Sequence, residues 1–430
     1  MKKSIGIGLM GLGVVGSGVA GALLEKRDSL AAEVGCPLIL RKVLVRDMSK
    51  SRPVALEDNV LTTDPKVLMS DPEIDIVVEL MGGEHPALEY ISQSLQAHRY
   101  VVTANKEVMA KHGEELLTTA RDSGVAIMFE ASVGGGIPLL MPLQQGLLAN
   151  DISTIYAIIN GTTNYILTSM SAEGTGFGEA LRKAQELGYA EANAKNDVDG
   201  TDATYKLAIL ASIGFHASVR PQDIYTQGID SLGEPDFRYA KELGYEIKLL
   251  AIGKQNEGSI EVRVHPVFIP VDSLLAKVGG VYNAVQIEGD LFGKLIFYGR
   301  GAGSLPTASA VLGDVVALGQ VINAAMKGHI PSTQLMTKSI RPIAELETKY
   351  YLRLSIADRP GVLAQIAKIL GDHDISIASV IQKEADNLTQ TAEIVIMTHP
   401  AREMYMQQAL SEIGNLPVVR EICNLIRVEG

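Results

Sequence analysis

Short apolar runs alternate with helical patterns through the first 150 residues of the chain. The predicted strands lie at residues 5–10, 38–45, 74–80, 100–103 and 125–129, and the predicted helices include 86–97 and 107–122. Strand–helix alternation is typical of a parallel sheet that helices cover on both faces. Ligands of such sheets lie beyond the carboxyl ends of the strands, so the strand ends are where chemistry is expected.

The pattern changes after residue 150 and again after residue 326. Alternation at 152–159, a helix at 180–187 and strands at 246–252, 260–264, 284–287 and 295–298 predict an α+β domain with an open sheet over 151–305. A long helical pattern at 306–326 is expected to complete the first domain, 1–150. Residues 327–348 lose apolar density and indicate a linker. The tail, 349–430, has the order βαββαβ, which is the ferredoxin-like unit.

Composition and charge narrow the class of protein. The chain has 430 residues, 47% of them hydrophobic, and a formal net charge of −12 without a basic run, so nucleic-acid and anionic-membrane partners are not expected. Two cysteines, Cys36 and Cys423, lack metal-ligand spacing and are expected to be buried, reduced thiols. With no cleavable signal recognised, we expect a soluble, cytoplasmic protein.

The first apolar run ends in a glycine-rich turn that opens a helix. The turn is Gly11, Leu12, Gly13, Val14, Val15 and Gly16. In a dinucleotide-binding unit these glycines allow the sharp turn, the approach of the pyrophosphate and close packing of helix on strand, which predicts a Rossmann-type sheet. A signal peptide or membrane span also fits the length of 4–24, but its seven glycines argue against both.

The end of the second strand carries two charged residues that bear on cofactor choice. An acidic residue such as Asp47 binds a ribose 2′-hydroxyl, whereas an arginine such as Arg46 accommodates a 2′-phosphate. Arg46 comes first after the apolar run, so we expect NADP with NAD tolerated. A solvated charge pair at a loop is the alternative for Asp47.

Three further loops carry candidate chemistry. Lys106 follows the fourth strand directly, where the nicotinamide is expected, although most lysines are only surface residues. Glu130 precedes a glycine-rich bend whose carbonyls could hold a hard cation, or which could be a plain loop. The loop 299–304, which contains Gly303, could close over the cofactor or serve only as a domain crossover.

The densest polar segment, 189–206, runs straight into an apolar helix. Asp202 and Lys206 are four residues apart and therefore lie on one face of that helix, which Thr201 could cap. An exposed ion pair is the commoner meaning of this spacing. The acid-rich loop that precedes the pair and ends at Gly200 favours a functional role instead. The two interpretations, an exposed ion pair and a functional pair, therefore have equal support.

Taken together, these motifs resemble the homoserine dehydrogenases, in the bacterial form with a C-terminal ACT domain, along essentially the whole chain. The resemblance is carried by GLGVVG at 11–16, TANK at 103–106, NGTTN at 160–164, GRGAG at 299–303, and Tyr189-Ala-Glu191 continuing to Asp202 and Lys206. The family carries out the reversible, NAD(P)-dependent reduction of L-aspartate 4-semialdehyde to L-homoserine, on the route to threonine, isoleucine and methionine.

The resemblance assigns roles to residues of this chain. It implies that Glu191, Asp202 and Gly188 bind homoserine, that Lys206 and Lys106 serve catalysis, and that residues 151–305 form the substrate and dimerisation domain. It further implies a sodium ion bound by Glu130, Val133, Gly135 and Ile137, and cofactor contacts from Lys106 and Gly303. Ala192 and Ala194 stand where family members often have proline, a departure that concerns the stiffness of the loop.

The ACT-like tail implies an amino-acid effector and an oligomer. Residues 358–363 match the first loop of such domains, which bind amino acids at an interface between copies. Threonine, the pathway product, is the expected effector, and a homodimer or homotetramer is the expected assembly.

The residue chemistry suits this reaction. Hydride arriving at an aldehyde carbon leaves negative charge on oxygen, which the Lys206 ammonium would stabilise and protonate. A second cation, Lys106, would lower the pKa of Lys206 by like-charge repulsion. Glu191 and Asp202 would bind the α-ammonium of the substrate.

Two alternative functions remain at the level of sequence. Another amino-acid dehydrogenase of the same fold would share the cofactor turn without needing Glu191, Asp202 and Lys206 together. A non-catalytic amino-acid sensor would need the tail but neither lysine.

Overall fold

Every residue of the first apolar run is buried, and the run forms the central strand β1 (Ile5–Met10) of a parallel sheet. The computed structural model describes residues 2–57, 59–256, 258–324, 334–386 and 390–429. After β1, the stretch to residue 159 forms α1 (Val14–Glu25), α2 (Arg27–Val34), β2 (Leu38–Leu44), β3 (Leu61–Thr62), α3 (Pro65–Ser70), β4 (Ile76–Glu79), α4 (Ala87–Gln96), β5 (Tyr100–Thr103), α5 (Lys106–Asp122), β6 (Ile127–Met128) and β7 (Ile152–Ile158).

The middle of the chain mixes helices with long antiparallel strands. It forms α6 (Gly161–Glu173), α7 (Phe177–Glu186), α8 (Lys195–Val198), α9 (Thr201–Gly214), β8 (Tyr225–Thr226), α10 (Glu234–Glu242), β9 (Tyr245–Asn256), β10 (Ser259–Pro270), β11 (Tyr282–Gly289), β12 (Gly293–Arg300) and α11 (Ser304–Asn323). The C-terminal part forms β13 (Ser339–Ile340), β14 (Glu347–Ala357), α12 (Val362–Asp372), β15 (Ile377–Asp386), β16 (Thr391–Thr398), β17 (Ala401–Arg402), α13 (Glu403–Gly414) and β18 (Val419–Val428).

These elements form two compact units, each built from separate stretches of chain. The first unit comprises residues 1–159, 203–224 and 282–338, and the second comprises 160–202, 225–281 and 339–430. The domain boundaries expected from the sequence stay a prediction.

The first unit contains the predicted parallel sheet. Its strand order is β3-β2-β1-β4-β5-β6, the dinucleotide-binding order, in which the chain reverses direction across the sheet between β1 and β4. Apolar side chains of β1 pack with those of α1 and α11 into one core. The Rossmann-type prediction is confirmed. In the same unit β11 pairs antiparallel with both β7 and β12.

One helix of the first unit, α11, is long and apolar enough to cross a membrane by length and composition. Its buried residues include Val311, Val315 and Leu318, which belong to the core around β1. The helix therefore serves as a core element of this unit. The predicted helix at 306–326 corresponds to α11, and residues 325 and 326 lie outside the described part of the chain.

The second unit joins the C-terminal strands to the long hairpin β9–β10. Within it the strand order is β9-β10-β18-β14-β16-β15, with β18 pairing parallel to β10 at Val267↔Arg427 and Phe268↔Val428. The order β18-β14-β16-β15 with α12 and α13 reproduces the ferredoxin-like unit, which confirms the predicted fold of the tail. Its core contains Tyr350, Ile366 and Met406, among other buried apolar residues.

The stretch predicted as a linker has some structure of its own. Residues 327–333 lie outside the described residues, and β13 follows them. This short strand pairs parallel with the start of β10, at Ser259↔Ser339 and Ile260↔Ile340. The pairing arises because the edge of β10 offers backbone hydrogen-bonding groups that a passing strand can satisfy, a tertiary effect that local composition does not reveal.

Both cysteines are free thiols, and burial raises the pKa of each. Cys36 is buried as expected, whereas Cys423 on β18 is only half-buried.

His265 on β10 is fully buried in the second unit, and its pKa lies well below the usual value. Burial is the main cause, and the positive charges of Arg427 and Arg263 add to it. One ring nitrogen, Nδ1, lies 2.9 Å from the Pro266 carbonyl oxygen, while Nε2 has no hydrogen-bond partner among the described residues. The imidazole is therefore neutral in the folded protein.

This burial predicts a pH-dependent stability. Below about pH 6.5 the unfolded chain protonates His265 and the folded protein does not, so stability falls as the pH falls. Relative to H265Q, the wild type should lose up to about 1.4 kcal/mol of unfolding free energy per pH unit below that point. Urea denaturation of both proteins at pH 5.5, 6.5 and 7.5 measures this. Parallel pH profiles for the two proteins would contradict it.

Candidate active site

The glycine-rich turn between β1 and α1 leaves bare backbone open to a ligand. Gly11 has φ +98°, and a Cβ there would lie 2.7 Å from the Leu80 carbonyl oxygen. A Cβ on Gly16 would lie 2.1 Å from the Gly11 carbonyl oxygen, so helix and turn touch. A Cβ on Gly13, by contrast, would meet no atom of the described part of the chain within 4 Å. The start of α1 therefore presents N–H groups to an open approach, which suits a phosphate.

A pocket of about 1250 Å³ opens over this turn in the first unit. Leu12, Gly13 and Val14 line one side of it, and Lys50 and Arg52 line another. The second glycine-rich loop also reaches the turn, because Ser304 Oγ, next to Gly303, donates to the Val14 carbonyl oxygen at 2.8 Å. A volume of this size accommodates a dinucleotide.

The charged residues after β2 differ from the expected arrangement. Arg46 is exposed and is not part of the pocket lining, whereas Lys50 and Arg52 are. The Asp47 carboxylate accepts hydrogen bonds from Ser49 N and Ser49 Oγ, which lower its pKa. The sequence-based prediction did not include Lys50 and Arg52. The feature that could have identified them is that Arg46, Lys50 and Arg52 lie close together in one polar loop.

A buried carboxylate connects the ends of β4 and β5 just before Lys106. Glu79 is fully buried, and its Oε2 accepts from Thr103 Oγ at 2.6 Å while its Oε1 accepts from Met81 N at 2.7 Å. Thr103 Oγ in turn accepts from Asn105 N at 3.0 Å. Burial raises the pKa of Glu79, and these donors oppose that rise.

Asn105 extends the same network into α5. Its side chain caps the helix by accepting from Val108 N, and its Nδ2 donates to the Gly83 carbonyl oxygen at 2.7 Å. Lys106 is the first residue of α5 and is half-buried. Its backbone position is therefore fixed by Glu79, Thr103 and Asn105. Glu79 was missed, although an acid at the end of an apolar run is a readable signal.

Glu130 uses its carboxylate to cap a chain turn. Its Oε1 accepts from Leu139 N and Leu140 N, and its Oε2 accepts from Met141 N at 2.6 Å. Its own N–H donates to Asp314 Oδ2 at 2.9 Å, and burial raises the pKa of Asp314 to about 8. The Glu130 carboxylate is thus occupied by peptide groups. Among the described residues there is no cluster of three or more His, Cys, Asp and Glu side chains that could hold a metal.

A cation at the predicted sodium site would therefore depend on main-chain oxygens. Val133, Gly135 and Ile137 are buried in the irregular loop that follows Glu130. Backbone carbonyls are suitable ligands for a hard cation.

Lys206 lies on α9 and is half-buried in the first unit. Its Nζ donates to the Ile159 carbonyl oxygen at 2.8 Å, at the end of β7. The neighbouring Tyr205 ring lies beneath Lys111 Nζ of α5, 5.6 Å from the ring centroid. This contact joins a side chain of α5 to one of α9.

Two carboxylates of the second unit share one amide. Asn160 Nδ2 donates to Asp197 Oδ1 at 2.7 Å and to Asp202 Oδ2 at 2.8 Å. Its Oδ1 accepts from Thr163 N at 2.8 Å and so caps α6. Asp202 is buried, and Asp197 is half-buried. Sequence reasoning missed Asn160 and Asp197 as site residues, because their relation to Asp202 is purely tertiary.

The remaining predicted substrate residues are exposed. Gly188 follows α7 with φ +74°, the usual conformation just past a helix end. Glu191 is exposed, and its main-chain oxygen accepts from Gln185 Nε2 at 3.2 Å. Thr162 Oγ donates to the Tyr189 carbonyl oxygen at 2.7 Å, which ties the segment before Glu191 to the start of α6.

Comparison with protein families gives three matches along the chain. Residues 138–316 match the model described as "Homoserine dehydrogenase", 11–130 match "Homoserine dehydrogenase, NAD binding domain", and 350–418 match "ACT domain".

Individual proteins agree with these family matches. The chain is 45% identical to a homoserine dehydrogenase of Synechocystis over 398 residues, which is 90% of this chain and 92% of that protein. A crystal structure of the homoserine dehydrogenase of Thiobacillus denitrificans superposes with a TM-score of 0.94 at 42% identity, covering 99% of this chain and 98% of that one. A hyperthermophilic archaeal homoserine dehydrogenase mutant in complex with NADPH covers 73% of this chain and 97% of its own, at a TM-score of 0.63 and 28% identity.

The buried position of Glu79 predicts the effect of changing it. E79Q replaces one acceptor oxygen by a donor amide, which would face either the Thr103 hydroxyl or the Met81 and Gly82 N–H groups. We expect a loss of about 1–3 kcal/mol of unfolding free energy and up to about tenfold weaker NADPH binding. Urea denaturation and the fluorescence of bound NADPH measure the two effects.

E73Q provides the matched control, since Glu73 precedes the same strand and its side chain is 63% exposed. Its stability and NADPH affinity should match those of the wild type. An E79Q protein indistinguishable from the wild type would remove Glu79 from this role.

Proposed function

Because the chain belongs to the homoserine dehydrogenase family, we propose that Lys206 is the acid–base residue of its reaction and that Asp202 and Glu191 bind the amine of homoserine. Family membership makes the chain an oxidoreductase and removes a non-catalytic sensor or a dehydrogenase of another specificity as alternatives. One observation carries the assignment of residues. Asn160 Nδ2 donates to both Asp197 and Asp202, so that two carboxylates converge on one amide.

The reaction is the reversible reduction of L-aspartate 4-semialdehyde to L-homoserine. When bound, the nicotinamide cofactor supplies the hydride or accepts it in the reverse direction. Lys206, oriented by the Ile159 carbonyl oxygen, gives a proton to the substrate oxygen as negative charge develops there. Lys106, at the start of α5, adds a second cation to the same region of developing charge.

Recognition of the amino-acid part of the substrate is assigned to acids. Asp202 and Glu191 pair with the α-ammonium, and Gly188 contributes backbone. Asp197, which shares the Asn160 amide with Asp202, adds further negative charge at this place. Asn160 keeps the two like-charged carboxylates together by giving one N–H to each.

Removing the Lys206 ammonium should abolish most turnover. K206A should lower kcat for homoserine oxidation by roughly 10²–10⁴-fold, while the Kd for NADPH stays within twofold of the wild type. Steady-state assays and NADPH fluorescence measure the two quantities.

K338A is the matched control, because Lys338 Nζ also donates to a backbone carbonyl, that of Phe215, at 2.8 Å. It should keep near wild-type kcat. If K206A turned over as fast as K338A, Lys206 would have no part in the mechanism.

We favour NADP as the cofactor, with NAD tolerated. Gly11, Leu12, Gly13, Val14, Val15 and Gly16 form the turn that would receive the pyrophosphate. Lys50 and Arg52 in the pocket lining, together with Arg46 nearby in the chain, supply positive charge for a 2′-phosphate. The ratio of kcat/KM for NADPH and NADH in R52A tests this choice.

A sodium ion bound by main-chain oxygens of Glu130, Val133, Gly135 and Ile137 is also part of the proposal. Such an ion would stiffen the loop between the Glu130 cap and Pro138. Rates in Na⁺ and K⁺ at equal ionic strength decide this point, and identical rates and thermal stabilities would remove the ion from the proposal.

The C-terminal ACT domain is proposed to bind threonine as a feedback inhibitor on the route to threonine, isoleucine and methionine. The loop between β14 and α12 contains Asp358, which is exposed, and Gly361 with φ +88°. Asp358 Oδ1 lies within hydrogen-bonding distance of Gln382 Nε2 on β15, at 3.4 Å. A carboxylate there suits the ammonium group of an amino acid.

Threonine inhibition should depend on this loop. D358A should raise the L-threonine concentration for half-inhibition about tenfold or more, with the uninhibited rate unchanged. D372A, at the other end of α12, is the control and should be inhibited like the wild type. A point variant is preferable to truncation, because β18 pairs with β10 and its loss would expose that strand. Full inhibition of D358A would refute this site.

A homodimer or homotetramer is proposed on the basis of the first unit's exposed apolar residues. Tyr282 and Tyr298 stack on β11 and β12 with ring centroids 5.1 Å apart, and Tyr298 and Leu291 are well exposed. An exposed aromatic pair at a sheet edge suits an interface between copies. Light scattering with size-exclusion chromatography tests the proposed oligomer, and a monomer would overturn it.

A cytoplasmic location is also proposed for this protein.

A further inference from the structure

Arg427, on the last strand of the C-terminal domain, is buried and reaches beyond that domain. Glu403 on α13 holds its guanidinium, with Nε at 2.8 Å from Glu403 Oε2. On its other side Arg427 Nη1 donates to Gln227 Oε1 at 3.1 Å and Nη2 donates to Tyr225 Oη at 3.3 Å. Its guanidinium carbon also lies 4.8 Å from the centroid of the Tyr225 ring.

The Arg427 guanidinium holds one side of the segment 225–229 in place through Tyr225 and Gln227. A buried arginine without acceptors is costly, so Gln227 Oε1 is held where Arg427 needs it. The backbone of Gln227 is held as well, because its N–H donates to the Val264 carbonyl oxygen of β10 at 2.8 Å.

The same segment packs against residues 198–200 on its other side. Ile229 N donates to the Val198 carbonyl oxygen at 2.9 Å. A Cβ on Gly228 would lie 2.5 Å from that oxygen, and a Cβ on Gly200 would lie 3.0 Å from Thr226 Cγ2. At Gly228 backbone meets backbone, so a shift of 225–229 against Val198 cannot be absorbed there by side-chain rotation.

Residues 198–200 lie between the two acids that share the Asn160 amide, Asp197 and Asp202. A displacement of this short stretch moves one or both carboxylates relative to Asn160. The position of the proposed amine-binding acid therefore depends on contacts that begin at Arg427. All of these residues belong to the second unit.

We propose that Gln227 is a positioning residue for homoserine binding, through which the C-terminal domain sets the place of Asp202. The inference rests on the proposed role of Asp202 as an amine-binding residue. It gives the C-terminal domain a part in substrate binding even without an effector, and it gives an effector a physical route to the substrate site. Movement of β18 would act through Arg427 and Gln227.

The test uses the full-length enzyme and separates KM from kcat. Q227M keeps the side-chain length but removes the acceptor for Arg427, and it should raise KM for homoserine between about threefold and tenfold. Its kcat and its Kd for NADPH should stay within twofold of the wild type. Q227E keeps an acceptor oxygen and should restore KM to near the wild-type value.

Y351F is the matched control for a lost buried hydrogen bond. Tyr351 Oη donates to Asp236 Oδ1 at 3.1 Å, also within the second unit but away from 225–229. This variant should lower the melting temperature and leave KM for homoserine unchanged.

Three results would overturn the inference: an unchanged KM in Q227M, an equal weakening of NADPH binding in Q227M, or a rise in KM in Y351F as large as that in Q227M. The variant D202N shows whether a negative result comes from the proposed Asp202 substrate site or from the proposed role of Gln227. If D202N binds homoserine like the wild type, the proposed substrate site is wrong and the role of Gln227 falls with it. A raised KM in D202N with an unchanged one in Q227M rejects the role of Gln227 alone.

Discussion

Buried carboxylates, and their need for hydrogen-bond donors, determine how distant parts of this chain are held together. Removing an ionised carboxylate from water costs several kcal/mol unless donors surround it. In the second unit Asp236 is fully buried and takes donors from Arg353, Tyr351 and Asn424, all of them in the C-terminal domain. Glu403 takes both ends of the Arg427 fork in the same unit. Each acid thereby ties residues far apart in sequence to one place.

The same rule distinguishes acids that build the fold from acids that are placed for chemistry. The oxygens of Glu130 are occupied by three peptide N–H groups, which makes its carboxylate a cap. Glu79 likewise binds the ends of β4 and β5 together. Asp202 and Asp197 are different, because two like charges are brought to one amide. In the proposed substrate site, this pair of carboxylates would bind the ammonium group of the substrate.

The C-terminal domain is part of a compact unit that includes the proposed substrate acids. Its last strand pairs with β10, and its Arg427 reaches the segment that packs on residues 198–200. In the proposed route, an effector that shifts β18 would act toward Asp202 through these contacts. Packed interiors transmit displacement because they have few voids to absorb it.

The residue pattern along the chain is enough to predict which elements form and the order in which they occur. Period-two and period-3.6 patterns identified the parallel sheet and the ferredoxin-like tail, and glycines at 11, 13 and 16 identified the turn, since these features depend on local backbone geometry. Three other features emerge only from the folded chain: the Glu130 carboxylate is a cap, Asn160 joins Asp197 to Asp202, and Arg427 binds Gln227. These are pairings between segments distant in the chain, and nothing in local composition states which buried donor will meet which buried acceptor.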